Sequence, residues 1–261
     1  MAREDYLLDN RQSEAGQRFD ALGTLFNPST FRHMNSIGMS LGWRVWEVGA
    51  GGVSVPAWIA KQTKGYVLAT DIDTTWLETE DRSFAVKRHD IGAEPAPGDS
   101  FDLVHARLVL VHVPQRSKAL ATMIDALRPG GWLIVEEADP GLQPLACPDD
   151  HSAAEELANK LKLAFRALMA ERSVDLSFGR KLPRLLRAAG LVDVQSDAYF
   201  PIGGPAVDRL ESATVEQIRE RLMASELATS DEIERHLSNV ASGQLDLTTS
   251  PMVSAWGRKP I

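Results

Sequence analysis

The feature that most constrains the fold is a glycine-rich turn between an apolar segment and a segment compatible with a helix. Residues 45–55 read VWEVGAGGVSV, so three glycines fall within four positions directly after apolar and β-branched residues. This is the order of a strand, a tight turn and the N-terminus of a helix. Glycine is needed there because a Cβ would block positive φ angles and the close approach of a bound molecule. The turn therefore predicts a site where a ligand contacts backbone.

Strand and helix patterns alternate after this turn. The sequence predicts short strands at residues 44–48, 66–70, 84–88, 101–105 and 132–136, and two more at 191–202 and 252–256. A helix opened by Pro114 lies before the fifth strand, and the LRPGG stretch at residues 127–131 is predicted to end it with a turn. Strands separated by helices of this length predict right-handed βαβ crossovers and a buried parallel sheet.

Helical patterns also occur outside this alternation. A stripe from Ala15 to Phe26 predicts one helix, the Asn-Pro-Ser sequence at 27–29 ends it, and residues 30–39 predict a second helix. Further helical patterns cover residues 157–168 and 206–242. We therefore predict an N-terminal helical cap (1–42), an α/β core (43–140), a helical insertion (141–176) and a completion of the core (177–261) that contains an inserted helical segment (205–243).

Composition and charge limit the expected partners. The formal net charge of −8 disfavours a broad basic face, so no nucleic-acid partner is expected. The single cysteine, Cys147, supplies neither an intramolecular disulfide nor a zinc cluster, and no metal site is expected. Because the sequence contains neither a basic and apolar leader nor eighteen consecutive apolar residues, we expect a cytoplasmic protein with no membrane partner. Whether the protein forms a homodimer is left open by the sequence.

Four motifs occur together between residues 43 and 140. They are Glu47-x-Gly49-x-Gly51, Asp71 at the end of the second strand, Asp90 after the third strand, and LRPGG before the fifth. Together they resemble a class I S-adenosylmethionine-dependent methyltransferase, although the usual third glycine of that family falls at Val53. The resemblance implies an α/β fold with a Rossmann-like, doubly wound, mostly parallel seven-stranded sheet whose last strand is antiparallel, plus helical N-terminal and inserted cap elements. It also implies S-adenosylmethionine as cofactor and S-adenosylhomocysteine as product.

The resemblance assigns cofactor contacts to residues at the strand ends, where ligands of open α/β sheets bind. The glycine turn is implied to contact the methionyl part, with Glu47 beneath its amino group. Asp71 is implied to accept the ribose hydroxyls, and Asp90 the adenine amino group. The implied cofactor-binding residues are Glu47, Gly49, Ala50, Gly51, Asp71, Ile72, Asp90, Ile91 and Arg107.

The cofactor-site acids and Arg107 also have structural interpretations. Glu47 could be a buried acid that accepts amide hydrogen bonds. Asp71 could cap a helix from residue 74 onward, although Asp73 is equally placed for that. Asp90 could be a loop acid. Arg107 could meet the cofactor carboxylate or form a surface salt bridge.

Two histidines are candidate catalytic bases. His112 follows the fourth strand, and His33 lies in the N-terminal segment. An imidazole near neutral pH can take a proton from an attacking hydroxyl or amine. A structural histidine is the alternative for both.

The leading functional hypothesis is methyl transfer to oxygen, nitrogen or carbon of a small hydrophobic metabolite. Its pocket is predicted to use side chains of the helical additions, with core packing as the alternative for each. The candidate pocket residues are Phe19, Phe26, Phe165, Met169 and Tyr199. A second hypothesis is a protein that binds S-adenosylmethionine without transferring its methyl group, as a non-methylating catalyst or sensor. A remote third hypothesis is an NAD-dependent dehydrogenase.

Overall fold

A computed structural model of the chain describes residues 7–8, 14–78 and 83–261. Residues 1–6 and 9–13 of the predicted N-terminal cap lie outside the described residues. The strands are β1 (Val45–Val48), β2 (Val67–Asp71), β3 (Ala85–Arg88), β4 (Phe101–Arg107), β5 (Leu127–Ala138), β6 (Val192–Tyr199) and β7 (Met252–Arg258). The α-helices are α1 (Glu14–Ser36), α2 (Ser54–Thr63), α3 (Arg116–Ala126), α4 (Ala153–Glu171), α5 (Leu182–Ala188), α6 (Pro205–Ala224) and α7 (Ser230–Ala241).

The seven strands found among the described residues form one sheet in the order β3-β2-β1-β4-β5-β7-β6. Neighbouring strands from β3 to β5 are parallel, and β7 is antiparallel to both β5 and β6. The predicted mostly parallel sheet with an antiparallel last strand is therefore confirmed. The strand order reverses between β1 and β4, and ligands of such sheets bind beside this reversal at the carboxyl ends of the strands.

The central strands of the sheet are covered on both faces, whereas the edge strands β3 and β6 are largely exposed. Every residue of β1 and β2 is buried, as expected of parallel strands that lie inside an α/β fold. One hydrophobic cluster joins Met34 of α1, Ile59 of α2, Leu103 of β4 and Trp256 of β7. The apolar runs of the sequence therefore fix the central strands.

The predicted break at residues 27–29 is wrong. α1 runs without interruption from Glu14 to Ser36, with Pro28 inside it. Proline in a helix interior costs about 3 kcal/mol because it removes an N–H donor and crowds the preceding turn. The following turn is nonetheless anchored, because Thr30 and His33 are fully buried and both hydrogen-bond to Glu136. These tertiary contacts outweigh the local signal that the sequence carries.

The predicted turn at LRPGG is also wrong in its detail. α3 ends one residue before this stretch, and β5 already begins at Leu127. The partner of Phe101 is Leu127 but the partner of Leu103 is Trp132, so residues 128–131 form a bulge. A Cβ on Gly131 would lie 2.9 Å from the Phe101 carbonyl oxygen. The glycines therefore permit a bulge within the strand.

The helix α3 begins at residue 116, slightly later than the predicted start at Pro114.

The chain divides into two compact units. The unit that we call the sheet unit comprises Phe26–Ala138, Phe178–Tyr199 and Met252–Ile261. The other, which we call the helical unit, comprises the described residues up to Leu25, with Asp139–Ser177 and Phe200–Pro251.

The helical unit has its own apolar core. Leu161 and Leu168 of α4 pack with Ile218 and Leu222 of α6 and with Ile233 of α7. A buried hydrogen bond joins two of these helices, because His236 Nε2 on α7 lies 3.0 Å from Glu211 Oε1 on α6. Among the described residues, no helix has both the length and the apolar character needed to span a bilayer.

Candidate functional site

The glycine turn joins β1 to α2 at the carboxyl edge of the sheet. Gly49 and Gly51 have φ angles of +61° and +63°, which L side chains rarely adopt. A Cβ on Gly49 would also collide with the Val109 side chain. Val53 has a φ of −79°, so a valine fits where the family pattern has its third glycine. The turn therefore keeps glycine where the backbone requires it.

Asp71 ends β2 and holds the turn. Its Oδ2 accepts the Gly51 amide at 2.9 Å, and its Oδ1 accepts the Asp73 amide at 3.1 Å. Burial raises the pKa of Asp71, and these two hydrogen bonds oppose the rise. Asp73 is the residue that caps the next turn, since its Oδ1 accepts the Thr75 amide at 3.0 Å. Because a carboxylate offers about four acceptor positions, Asp71 retains capacity for further donors.

Three more of the predicted cofactor residues, Ile72, Asp90 and Ile91, follow β2 and β3, and Ala50 lies in the glycine turn. Ile72 follows Asp71 and is 45% exposed, so it presents apolar surface at this edge. Asp90 is half-buried and its Oδ1 accepts the Gly92 amide at 2.8 Å. Ile91 is buried, and Ala50 donates its amide to the Thr70 carbonyl at 3.0 Å. Carboxyl groups, apolar surface and half-buried backbone thus lie at the ends of β1, β2 and β3.

A row of ionisable side chains lies beneath the turn and inside the sheet unit. Glu47 of β1 and His105 of β4 are paired in the sheet register, and Glu47 Oε2 lies 2.6 Å from His105 Nδ1. The other ring nitrogen of His105 lies 3.3 Å from Glu136 Oε2 on β5. All three side chains are at most 2% exposed. His105 therefore joins two buried carboxylates.

Glu136 is the centre of this row. The hydroxyl of Ser254 on β7 donates to its Oε1 at 2.7 Å, and His33 Nδ1 lies 3.2 Å from the same oxygen. Thr30 donates its hydroxyl to Oε2. His33 Nε2 reaches Asp197 Oδ1 on β6 at 2.9 Å. We call the set Glu47, His105, Glu136, His33, Ser254 and Asp197 the buried polar row; it ends at Asp197, whose side chain is 35% exposed.

The charges of the row follow from these contacts. Burial favours neutral His105, but the Glu47 charge and the hydrogen bonds to Glu136 and Glu47 outweigh it and raise the pKa of His105 to about 9. Burial also opposes ionisation of Glu136, yet His105 and His33 hold its pKa well below the usual value. At neutral pH His105 is therefore an imidazolium between carboxylates.

Glu137 lies on the opposite face of the sheet from Glu136, because consecutive strand residues alternate. Its Oε1 accepts the amides of Val109, Leu110 and Val111 at 3.1, 2.6 and 3.4 Å. Its Oε2 is buried and has no hydrogen-bond partner among the described residues. Burial raises the pKa of Glu137 to about 8, although the three amides oppose the rise.

The segment after β4 carries the predicted Arg107 and His112. The Arg107 guanidinium donates to Thr30 Oγ1 and to Asn27 Oδ1, both at 3.0 Å. Burial lowers the pKa of Arg107, and the charges of Glu136 and Glu47 oppose that change. His112 is half-buried at the end of a short 3-10 helix, Leu110–His112, whose first amides Glu137 accepts. Val109, which lies between Arg107 and His112, packs beside Gly49, so this segment passes next to the glycine turn.

The candidate base His33 and the candidate pocket residues have varied surroundings. Both ring nitrogens of His33 are engaged, so a base role would require these bonds to change. Phe26 is buried and packs edge-on against Tyr199, with ring centroids 6.3 Å apart. Phe165 and Met169 pack against the core of the helical unit. Phe19 is half-buried in the same unit, with the Arg18 guanidinium over its ring.

Sequence reasoning missed His105, Glu136, Glu137, Asp197 and Ser254. A signal was present, because His105 and the two glutamates interrupt strands that are otherwise apolar. Their meeting depends on sheet register, which places Glu47 beside His105 and Ser254 beside both Glu136 and Asp197. That register is set by pairing between distant strands, and no local pattern states it.

The chain is similar to known methyltransferases over part of its length. A family model described as a methyltransferase domain matches residues 46–135. Methyltransferase str2 of Strobilurus tenacellus is 35% identical over 103 residues, which are 37% of this chain and 36% of that protein. The ubiquinone/menaquinone biosynthesis C-methyltransferase of Vibrio parahaemolyticus is 30% identical over 117 residues, 40% of this chain and 45% of that protein. The chain thus spans less than half the length of these curated relatives.

A solved structure shares the fold. Haemonchus contortus phosphoethanolamine N-methyltransferase 2, in complex with phosphomonomethylethanolamine and S-adenosylhomocysteine, superposes with a TM-score of 0.62 at 17% identity. The superposition covers 100% of this chain and 61% of that chain. At this identity the likeness shows the fold alone.

Proposed function

Because this chain carries a class I S-adenosylmethionine-dependent methyltransferase domain, with S-adenosylmethionine as its cofactor, we propose that it transfers the cofactor's methyl group to a small molecule. The acceptor is oxygen, nitrogen or carbon of a hydrophobic metabolite. The observation that carries the proposal is the glycine turn with positive φ angles, held by the buried carboxylate of Asp71. The named relatives are all methyltransferases, which favours transfer over cofactor binding alone and over a dehydrogenase.

The residues at the strand ends fit the chemical groups of S-adenosylmethionine. Asp71 would accept the ribose hydroxyls, for which its oxygens retain acceptor positions. Ile72 offers exposed apolar surface to the adenosine part, and Asp90 would accept the adenine amino group. Glu47 would attract the ammonium, with Gly49, Ala50 and Gly51 providing close backbone approach. Arg107 and the amide of Ile91 complete the proposed set.

The bound cofactor supplies an electrophilic methyl group on a sulfonium, so the protein does not need to activate the methyl group itself. The protein's task is to bring an acceptor into line with that methyl and to exclude water. His112 is the proposed base for acceptors that must lose a proton, and His33 is the weaker proposal because both its nitrogens are engaged. Phe19, Phe26, Phe165, Met169 and Tyr199 remain the proposed pocket residues.

The relatives leave the acceptor atom open. One is described as a C-methyltransferase and another as an N-methyltransferase, and both match a limited part of the chain or share only its fold. Our proposal of a small hydrophobic acceptor rests on the apolar side chains of the additions and on the negative net charge. We also propose a cytoplasmic location, no nucleic-acid or membrane partner, and the four segments predicted from the sequence. Whether the protein forms a homodimer is an open question.

Thermal shift with S-adenosylmethionine and S-adenosylhomocysteine tests cofactor binding, since a ligand that binds only the folded state raises Tm. A more specific test is the variant Asp71→Ala. We expect it to lose about 1.5–3 kcal/mol of cofactor binding free energy, a decrease in affinity of roughly tenfold to a hundredfold. Asp73→Ala is the matched control, because Asp73 caps a local turn and has no proposed cofactor contact. Equal affinity of wild type and Asp71→Ala would refute the ribose assignment.

Transfer itself is tested with a methyl-labelled cofactor. Incubation of the chain with labelled S-adenosylmethionine and extracts of small metabolites should move the label into a product. Tight binding with the cofactor left intact in every extract would instead support the non-methylating alternative.

A further inference from the structure

The buried polar row crosses five neighbouring strands of the sheet. In strand order it contains Glu47 on β1, His105 on β4, Glu136 on β5, Ser254 on β7 and Asp197 on β6. Glu47, His105, Glu136 and Ser254 are each at most 2% exposed. Burial of ionised groups is unfavourable unless each is paired and hydrogen-bonded. A row of this length beneath the ligand turn therefore calls for a functional explanation.

The contacts of His105 connect it to the glycine turn through Glu47. Its Nδ1 lies 2.6 Å from Glu47 Oε2, and Glu47 is two residues before the first glycine of the turn. A protonated imidazole donates at both nitrogens, so it also donates to Glu136 Oε2 at 3.3 Å. A ring held at both ends has one orientation. It fixes one oxygen of Glu47.

The far end of the row keeps His105 in place. Glu136 is held by Ser254, Thr30 and His33 in addition to His105. Its carboxylate therefore cannot turn to follow a moving ring. The bonds of Glu136 go to His105 of β4, to Ser254 of β7 and to α1.

We infer that His105 is a positioning residue that sets the affinity of the site for the amino-acid end of S-adenosylmethionine, by orienting the Glu47 carboxylate beneath the glycine turn. The inference rests on the proposed function, because the partner of Glu47 is the cofactor's ammonium. His105 itself contacts no cofactor atom. Its effect should therefore appear only for ligands that carry the amino-acid group, and only while Glu47 is present.

Two ligands separate this role from a general structural one. S-adenosylhomocysteine carries the amino-acid group, and 5′-methylthioadenosine has the same adenosine and sulfur without it. For His105→Asn, calorimetric titration should show S-adenosylhomocysteine binding weakened about tenfold or more, from a weakened charge-assisted contact, and methylthioadenosine binding changed by less than about twofold. In Glu47→Gln the same selective loss is expected. The double variant should be no weaker than Glu47→Gln alone.

His236→Asn is the matched control. His236 is fully buried and bonded to Glu211 in the helical unit, so the substitution breaks a histidine–glutamate pair of similar burial. We expect it to leave the affinity ratio of the two ligands unchanged. If His105→Asn does not fold, His105→Gln replaces it, because glutamine retains an N–H donor within reach of a carboxylate, and the same selective loss is expected at smaller size.

The outcomes are distinct. Failure of the wild type to bind either ligand refutes the proposed function. If the wild type binds both, the inference is refuted when His105→Asn weakens the two ligands equally, when it leaves both unchanged, or when its loss adds fully to that of Glu47→Gln. A selective and non-additive loss supports it.

Discussion

Glu136 and Glu137 are consecutive residues of β5, and each is at most 1% exposed, yet their carboxyl groups meet opposite conditions. Glu136 faces His105, His33 and two hydroxyl groups, and its pKa is held well below the usual value. Glu137 faces three backbone amides on one oxygen while the other has no partner among the described residues, and burial raises its pKa to about 8. Equal burial thus accompanies a lowered pKa at Glu136 and a raised pKa at Glu137.

The difference shows that partners decide the charge of a buried acid. Desolvation is the largest influence on both groups. The hydrogen bonds of His105 and His33 and the charges of His105 and Arg107 outweigh it at Glu136, whereas three backbone amides and the charge of Arg116 do not at Glu137. Both nonetheless support the glycine turn. Glu136 acts through His105 and Glu47, whereas Glu137 accepts the amide of Val109, whose side chain fills the space beside Gly49.

The largest effect is expected from Glu136→Gln. Removing one partner of a buried ionic network leaves His105 charged and poorly paired, which typically costs about 3–5 kcal/mol. Urea unfolding at pH 7 measures this loss. Glu137→Gln is the matched substitution on the other face, and it should cost less than about 1.5 kcal/mol because the amide oxygen still accepts backbone N–H groups. Equal losses would remove the contrast between the two faces.

The second effect concerns pH. The folded-state pKa of Glu137 is raised from 4.5 to about 8, so between these values the folded state binds more protons than the unfolded state, and stability falls as pH rises. Glu137→Gln cannot titrate. From pH 6 to pH 8 the wild type should therefore lose about 2 kcal/mol more stability than Glu137→Gln does. Parallel pH profiles of the two proteins would show that Glu137 is already ionised at pH 6.

The third prediction concerns the protonation of His105. Its pKa is raised from 6.5 to about 9, so its contribution to stability is fully present below pH 6.5 and is lost as pH rises through 9. Nitrogen-detected NMR of the imidazole rings should show His105 with two bound protons at pH 7.5. A neutral ring at that pH would contradict the charged state of this face.

The smallest effect is expected from Ser254→Ala, which removes one donor to Glu136 and should cost about 1 kcal/mol. The control is Thr249→Val, because the Thr249 hydroxyl is buried without a partner among the described residues, and its removal should be neutral or stabilising. Thermal unfolding of both variants measures the difference. If Ser254→Ala leaves the free energy of unfolding unchanged, the other hydrogen bonds of Glu136 are sufficient to hold its carboxylate.

The sequence predicted the parts of this molecule that depend on neighbouring residues. The apolar strand, the positive-φ glycines and Asp71 twenty residues later are local signals, and each lies where it was expected. Pro28 and the LRPGG stretch were misjudged because distant contacts, from Glu136 and from Phe101, decide those conformations. The sequence could not predict the buried polar row, because its members lie on α1 and on five strands whose register no single segment encodes.

A crystal structure of the chain with S-adenosylhomocysteine tests the central claim most directly. The account predicts the ligand on the glycine turn, with its ribose hydroxyls on Asp71, its ammonium on Glu47, and His105 still bonded to both Glu47 and Glu136. A ligand bound away from the turn, or an amino group placed without Glu47, would contradict it.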